Sequence, residues 1–352
     1  MKSIGEIDKN LKVETEIVKD GMAFYDIDKV PFKVYGLLRE NGRYKRMKEA
    51  DAKAVSDGVY GGHASTAGGR VRFRTDSAVI AIETKMYAAQ MPHCALTGSS
   101  GFDLYVDEGE GSKYFGTFVP PFDATRGYES KLDLESSKTR DITIHFPTYS
   151  IVEEVKIGLE EGAGIAEATP YAYDKPIVFY GHSITQGACA SKPGNAYTNM
   201  ISTRFHIDHI NLGFSGNAKG EPAMAEYVAN MDMEIFVYDY DHNAPNKEHL
   251  QNTHQKFFKI FREKKPDVPV IMMTSTTMPR FSDDAEARKE IIYKTYTDAL
   301  AKGDKNVYFI DGRAAMAECG YDGTVEGCHP NDLGFYFISK AVGEIVEQIL
   351  RK

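Results

Sequence analysis

Tryptophan is absent from the 352 residues, so aromatic stacking falls to 21 tyrosines and 19 phenylalanines. Cysteine is scarce: Cys94, Cys189, Cys319 and Cys328 are scattered without CxxC spacing. A disulfide framework is therefore not expected, and reduced thiols are the default. No polybasic tract interrupts a net charge of -9, which argues against a nucleic-acid partner and an anionic membrane surface. No apolar run approaches bilayer length, and Met1–Asp8 holds no stretch able to act as a signal peptide. The expectation is a cytoplasmic protein that contacts neither membrane nor nucleic acid. Internal repeats and low-complexity tracts are also missing. What remains is an ordinary globular composition, 42% hydrophobic and 26% charged, with length enough for two domains.

The two halves differ in period. Up to about Pro170, Lys12–Ile17 and Arg70–Arg74 alternate apolar with polar, and Ser77–Glu83, Phe102–Val106, Asp141–Phe146 and Val152–Ile157 read likewise. Short strands separated by glycine, proline and Asp/Ser clusters predict a β-sandwich over 1–170, jelly-roll-like. Gly61–Gly69 reads as a flexible loop; it lacks the lysine and following helix of a phosphate-binding loop. From Lys175 onward, strands at Ile177–Tyr180, Ile207–Leu212, Ile235–Asp239, Val268–Thr274 and Asn306–Ile310 alternate with helical periods. Those helices run over Pro222–Met231, the stretch bearing Leu250, His254, Phe257, Phe258 and Phe261, Asp284–Ala301 and Asp332–Leu350. A βαβα order predicts an α/β domain over 171–352, a doubly wound parallel sheet of flavodoxin-like form.

Chemistry-bearing residues cluster in the strand-to-loop junctions of this second half. Tyr180-Gly181-His182-Ser183-Ile184-Thr185-Gln186-Gly187 follows an apolar strand, and glycines on both sides let the chain turn sharply around the Ser183 hydroxyl. Alone, such a serine is usually a turn or capping residue. Two more stretches strengthen it: Asn211-Leu212-Gly213-Phe214-Ser215-Gly216-Asn217, and Glu326-Gly327-Cys328-His329-Pro330-Asn331-Asp332 before the last helix. A histidine ahead of a Pro-Asn turn is otherwise a surface residue, and Gly216 a plain turn glycine. His182, Asp239, Asp241 and His242 fit no standard metal-ligand spacing, so a hydrogen-bonded polar cluster without metal is expected. Cys328 precedes the histidine and reads as a small packing residue.

Together the three stretches resemble the SGNH (GDSL-like) hydrolases, whose blocks supply Ser, Gly, Asn and His. Ser183 matches the serine block, Gly216 the glycine block and His329 the histidine block. The usual Gly-x-Asn-Asp is missing, and Asn243 in Asp239-Tyr240-Asp241-His242-Asn243 matches best. His182 replaces the aspartate that normally precedes the serine, and Glu326 stands where an aspartate is usual. Gly101-Phe102-Asp103-Leu104-Tyr105 matches the GxDLY signature of the sandwich attached to a subset of these enzymes, so the resemblance spans nearly the whole chain.

The resemblance implies a serine esterase without cofactor. Ser183 would be the nucleophile and His329 its base. Glu326 would be the third member, with Asp322 or a backbone carbonyl as rivals. The oxyanion hole would comprise the N–H groups of Ser183 and Gly216 and the side chain of Asn243, with Asn217 and Asn211 close by. Similarity to two-domain carbohydrate esterases implies O-deacetylation of acetylated oligosaccharides, although the sugar-stacking tryptophan is lacking. A carbohydrate-binding protein with an inactive hydrolase domain, and a lipase or thioesterase for longer acyl chains, remain open, as does the oligomeric state.

Overall fold

The computed structural model describes residues 4–14, 16–276 and 284–352. Its first part is built from two antiparallel sheets. One orders the strands Met22–Asp26, Ile151–Glu160, Val79–Tyr87 and Glu129–Asp133. The other orders Ile165–Ala166, Arg70–Thr75, Arg140–His145, Phe102–Asp107 and Lys113–Phe118, with Lys33–Tyr35 also paired to Arg70–Thr75. Alternate residues of both sheets, among them Val71, Phe73, Leu104, Ile142, Ile80, Ile157 and Leu159, meet in one buried cluster, the interior of a sandwich. The alternation at Lys12–Ile17 yields no strand among the described residues: nothing pairs with it, and backbone extension is retained only where a neighbour takes up its hydrogen bonds. Thr15 of that stretch lies outside the described residues.

The second part is a parallel sheet in the order His209–Gly213, Ile177–Gly181, Ile235–Asp239, Val270–Met273, Val307–Ile310. Its strands are buried on both faces. Val178, Tyr180, Phe236, Tyr238 and Met272 pack with the helices Pro222–Ala229, Lys247–Lys264 and Ala285–Ala301. Ile177, Phe179, Ile235, Val237 and Met273 pack instead with Tyr197–Phe205 and Asp332–Leu350. Period-two strands with both faces apolar are what a doubly wound sheet requires. The strand order reverses beside Ile177–Gly181, and open α/β sheets place their crevice at such a point. Among the described residues no helix is long and apolar enough to cross a membrane.

Most of the polar face of Arg70–Thr75 does not meet solvent, since Arg70 and Arg72 are buried. Arg70 is fully buried; its Nε–H donates to Tyr171 Oη at 2.8 Å and Nη1 to His209 O at 3.1 Å, and Nη2 pairs with Asp208. Arg46 is likewise buried, donating to Gly62 O at 2.6 Å, Ser65 O at 2.9 Å and the carbonyl of Gly213. Two arginines from the sandwich thus satisfy carbonyls on the edge strand of the parallel sheet. Gly61–Gly69 is part of this junction rather than a free loop: Ser65 and Thr66 are buried, and Gln186 Nε2 donates to Ser65 Oγ at 3.2 Å.

The GxDLY segment does similar work. Asp103 takes His145 Nδ1 at 2.8 Å and the backbone N–H of Gly194 at 2.7 Å, while Lys192 Nζ donates to Tyr105 Oη at 2.9 Å. Gly194 must be glycine here, since a Cβ would overlap the Tyr105 ring. The motif therefore ties the sandwich to the Pro193–Asn195 turn that leads into Tyr197–Phe205.

Candidate active site

The Ile177–Gly181 strand ends against its neighbour so closely that a Cβ on Gly181 would overlap Asp239 O and the Thr185 side chain. His182 then caps the short helix Ser183–Gln186: its Nδ1 accepts from Ile184 N at 3.2 Å, so Nε2 carries the proton and donates to Asp239 Oδ1 at 3.0 Å. Both side chains are fully buried. Gly187, at φ +104°, ends the turn. This leaves Ser183 half-buried at the first helical position, facing the last loop of the domain.

That loop is a tight turn. Val325 N donates to His329 O at 2.9 Å, Gly327 N to Thr324 Oγ1 at 2.9 Å, and Gly327 takes φ +93°. Asn331 caps the last helix through Leu333 N at 3.0 Å and Gly334 N at 3.2 Å. Held at both ends, the turn brings Glu326 and His329 together. Glu326 Oε1 lies 2.6 Å from His329 Nδ1 and also accepts the His329 backbone N–H at 3.1 Å. A carboxylate accepts only, so Nδ1 bears the proton and the Nε2 lone pair faces Ser183 Oγ at 2.9 Å. Partial burial works to raise the Glu326 carboxyl; the hydrogen bonds and charge of His329 outweigh it and hold it below its ordinary value. Asp322 offers its backbone carbonyl to Asn331 Nδ2 and makes no contact with the His329 ring among the described residues.

Gly216 has φ +71° with nothing within 4 Å of where a Cβ would stand, so backbone conformation, not crowding, demands glycine. The backbone N–H groups of Ser183 and Gly216 have no acceptor among the described residues. Asn243 closes the short 3-10 turn Asp241–Asn243 after the third strand, and its Nδ2 donates to Phe214 O at 2.9 Å, two residues before Gly216. The other asparagines are engaged elsewhere. Asn211 Nδ2 donates to Thr185 O at 2.7 Å and its Oδ1 accepts Gly213 N at 2.9 Å, while Asn217 Nδ2 donates to Ser215 O at 2.8 Å.

Behind the nucleophile, His182, Asp239, Asp241 and His242 form the polar cluster. Thr185 Oγ1 donates to Asp239 Oδ2 at 3.3 Å, Ser275 N to Asp241 Oδ2 at 2.9 Å, and His242 Nε2 lies 2.6 Å from Ser275 Oγ. The His182 and His242 rings meet edge to face at 4.6 Å between centroids. Burial holds His242 well below the ordinary histidine value, and burial beside Asp239 pushes Asp241 up to about 6.

Two residues at the site come from the sandwich and carry no signature in the sequence. The His93 ring lies 5.6 Å from that of His329, and Cys94 Sγ is 3.5 Å from Cys189 Sγ on the nucleophile loop. Only their place in a Pro-His-Cys loop between strands could have drawn attention to them.

A serine, imidazole and carboxylate in hydrogen-bonded sequence at a sheet switch point define a serine-hydrolase type of site. Residues 174–347 match the profile of the GDSL-like lipase/acylhydrolase family, and residues 22–165 that of the GxDLY N-terminus of SGNH-hydrolase-type esterases. The chain belongs to the GDSL-like lipase/acylhydrolase family, in its two-domain GxDLY form. Among solved structures it is similar to a Bacteroides ovatus ATCC 8483 protein described as a GDSL-like lipase, with 28% identity, TM-score 0.83, and coverage of 94% of this chain and 98% of that one. It also shares its fold with a salicylyl-acyltransferase of a tetracycline biosynthetic pathway, at 20% identity, TM-score 0.77, and 94% and 98% coverage. A third is a family two carbohydrate esterase from Clostridium thermocellum in complex with cellohexaose, at 13% identity, TM-score 0.61, and 91% and 99% coverage. No curated protein matches the sequence.

Proposed function

We propose that the protein is a serine esterase that removes O-acetyl groups from acetylated carbohydrates, with no cofactor. The observation that carries the reading is the relay from Ser183 Oγ through His329, 2.9 Å on one side and 2.6 Å from Glu326 on the other. In it, Ser183 Oγ attacks the acetyl carbonyl while its proton passes to His329 Nε2, and Glu326 stabilises the imidazolium. The N–H groups of Ser183 and Gly216 and the free N–H of the Asn243 amide receive the oxyanion. Collapse breaks the ester bond, and His329 returns the proton to the departing sugar oxygen. Water, deprotonated by the same imidazole, then releases acetate from Ser183.

The division of labour is a catalytic domain over 171–352 and an accessory domain over 1–170 that completes the cleft. Support for a sugar comes from the fold shared with an esterase holding cellohexaose, and from Phe122. Phe122 is 88% exposed, and its backbone carbonyl accepts Nε2 of Gln90, three residues before His93 in sequence, at 3.0 Å. In this reading an exposed aromatic ring on the sandwich supplies the stacking surface that tryptophan usually provides.

The test is mass spectrometry of an acetylated oligosaccharide panel after incubation, together with p-nitrophenyl ester hydrolysis. Loss of about 42 Da per acetyl group and a steep fall from acetate to butyrate esters are expected. Ser183→Ala and His329→Ala each lower kcat by at least about a thousandfold, and the double variant little further. Binding without turnover by the wild type would leave an inactive carbohydrate-binding protein. Preference for long acyl chains would leave a lipase or thioesterase.

A further inference from the structure

Beside the nucleophile lie two donors that ester hydrolysis does not use, His93 and Cys189, close to the His329 that it does. The ligand atoms of His93, Cys189 and His329 all stand within 4.8 Å of one another, His93 exposed, Cys189 buried and His329 half-buried. They come from three separate stretches: a sandwich loop, the loop after Ser183, and the turn before the last helix. Cys94 adds a second sulfur 3.5 Å from Cys189 Sγ. Glu326, Cys328 and His329 form an overlapping trio, but there Glu326 already holds His329 Nδ1.

We propose that His93, Cys189 and His329 form a binding site for a thiophilic divalent cation such as Zn2+, with solvent completing its shell, and that the ion switches the esterase off. Imidazole and thiolate are borderline-to-soft ligands, which select zinc over magnesium or calcium. Because Glu326 engages Nδ1 of His329, the nitrogen open to the ion is Nε2. Its lone pair is the one that faces the Ser183 hydroxyl, so metal and substrate chemistry exclude each other. On binding, the Cys189 thiol gives its proton to solvent as the sulfur–metal bond forms, and no oxidant or reductant takes part. The ion would also clamp the sandwich loop to the catalytic loops. Binding follows from the donor geometry alone, whereas the inhibition rests on His329 being the base of the proposed esterase.

Binding and inhibition are therefore measured separately, under reducing, chelator-free conditions. Co2+ is titrated into the Ser183→Ala protein, with thiolate-to-cobalt charge-transfer absorption as the signal, and Zn2+ then competes. One ion per chain is expected, displaced by zinc and not by Mg2+. In Cys189→Ser the absorption should weaken, and in the surface variant His93→Ala the affinity should fall by at least about tenfold. For the esterase, Zn2+ inhibition is read relative to each variant's own metal-free rate. Complete, chelator-reversible inhibition of the wild type is expected, with the midpoint raised at least about tenfold in His93→Ala. Absence of cobalt–thiolate absorption, or equal zinc affinity in wild type and His93→Ala, would overturn the site. Stoichiometric binding with undiminished ester hydrolysis would overturn the switch, and a wild type with no esterase activity at all would overturn the functional reading while leaving the site in place.

Discussion

His182 Nε2 donates to Asp239 Oδ1 at 3.0 Å in a pocket where neither side chain is exposed, one residue from the nucleophile. His182 precedes the nucleophile directly, and the aspartate at the end of the third strand receives its proton. The same imidazole caps the helix that begins at Ser183. His182→Ala removes both bonds and leaves Asp239 with Thr185 as its remaining side-chain partner. The expected loss is at least about 2 kcal/mol of stability, with a fall in kcat that reflects a less constrained Ser183. Thermal unfolding and ester hydrolysis together check this; an unchanged melting temperature would show the pair to be dispensable.

Glu326→Gln separates a triad from a dyad. The variant retains size and one accepting oxygen but loses the charge that favours the imidazolium. With Glu326 at 2.6 Å from Nδ1, the expected effect is about two to four orders of magnitude in kcat and little change in KM. A loss below about tenfold would mean that the carboxylate is not the group that orients His329.

These site residues were legible because the turn is local. Glu326 and His329 stand three apart in sequence, and Ser183 and Gly216 each follow an apolar strand. Other parts were hidden for physical reasons. The helix Tyr197–Phe205 buries Thr198, Asn199 and Ser202 along with Ile201, so its inward face does not read as apolar. Arg70 and Arg72 look like the solvent face of a strand, yet both are buried, because the other domain is packed on that face. His93 meets His329 through a contact between chain segments more than two hundred residues apart, and no local period encodes such a contact. The reason for glycine at 216 is also visible only in its backbone angle.

Arg46 tests how firmly the sandwich is joined. Its burial lowers the guanidinium to about 9, and its charge is compensated by carbonyls of Gly62, Ser65 and Gly213. Arg46→Ala leaves the carbonyls of Ser65 and of Gly213, on the edge strand of the parallel sheet, without their side-chain donor. A destabilisation of about 3 kcal/mol or more is expected, with Arg46→Lys recovering little because one ammonium cannot span the same acceptors. Chemical denaturation reads it, and a loss below about 1 kcal/mol would show the junction to be solvated.

Phe122 tests whether the sandwich contributes to substrate binding. Phe122→Ala should raise KM for acetylated oligosaccharides by about three- to tenfold and leave p-nitrophenyl acetate hydrolysis unchanged, since the small ester has no sugar to stack. Equal effects on both substrates would reduce the ring to a structural part of the loop.

Asp241 carries a pH signature of its own. Its Oδ2 accepts Ser275 N at 2.9 Å, while Oδ1 is buried without a hydrogen-bond partner among the described residues. Burial, then the nearby Asp239, raise it from the ordinary 3.8 to about 6. A carboxyl whose folded value is raised contributes fully below the unfolded value and loses that contribution as pH climbs through the folded one. The stability of the wild type therefore carries a penalty that grows from about pH 4 and levels off above about pH 7, worth about 3 kcal/mol for a rise of this size. Asp241→Asn cannot ionise; its oxygen can keep the Ser275 bond, and its amide can donate towards Asp239. The difference in melting temperature between variant and wild type should therefore be small or negative at pH 4.5 and positive by several degrees at pH 7.5. Other titrating groups are common to both proteins and cancel in that difference. A difference that stays constant across the range would show that Asp241 is ionised throughout, held by a partner that offsets its burial.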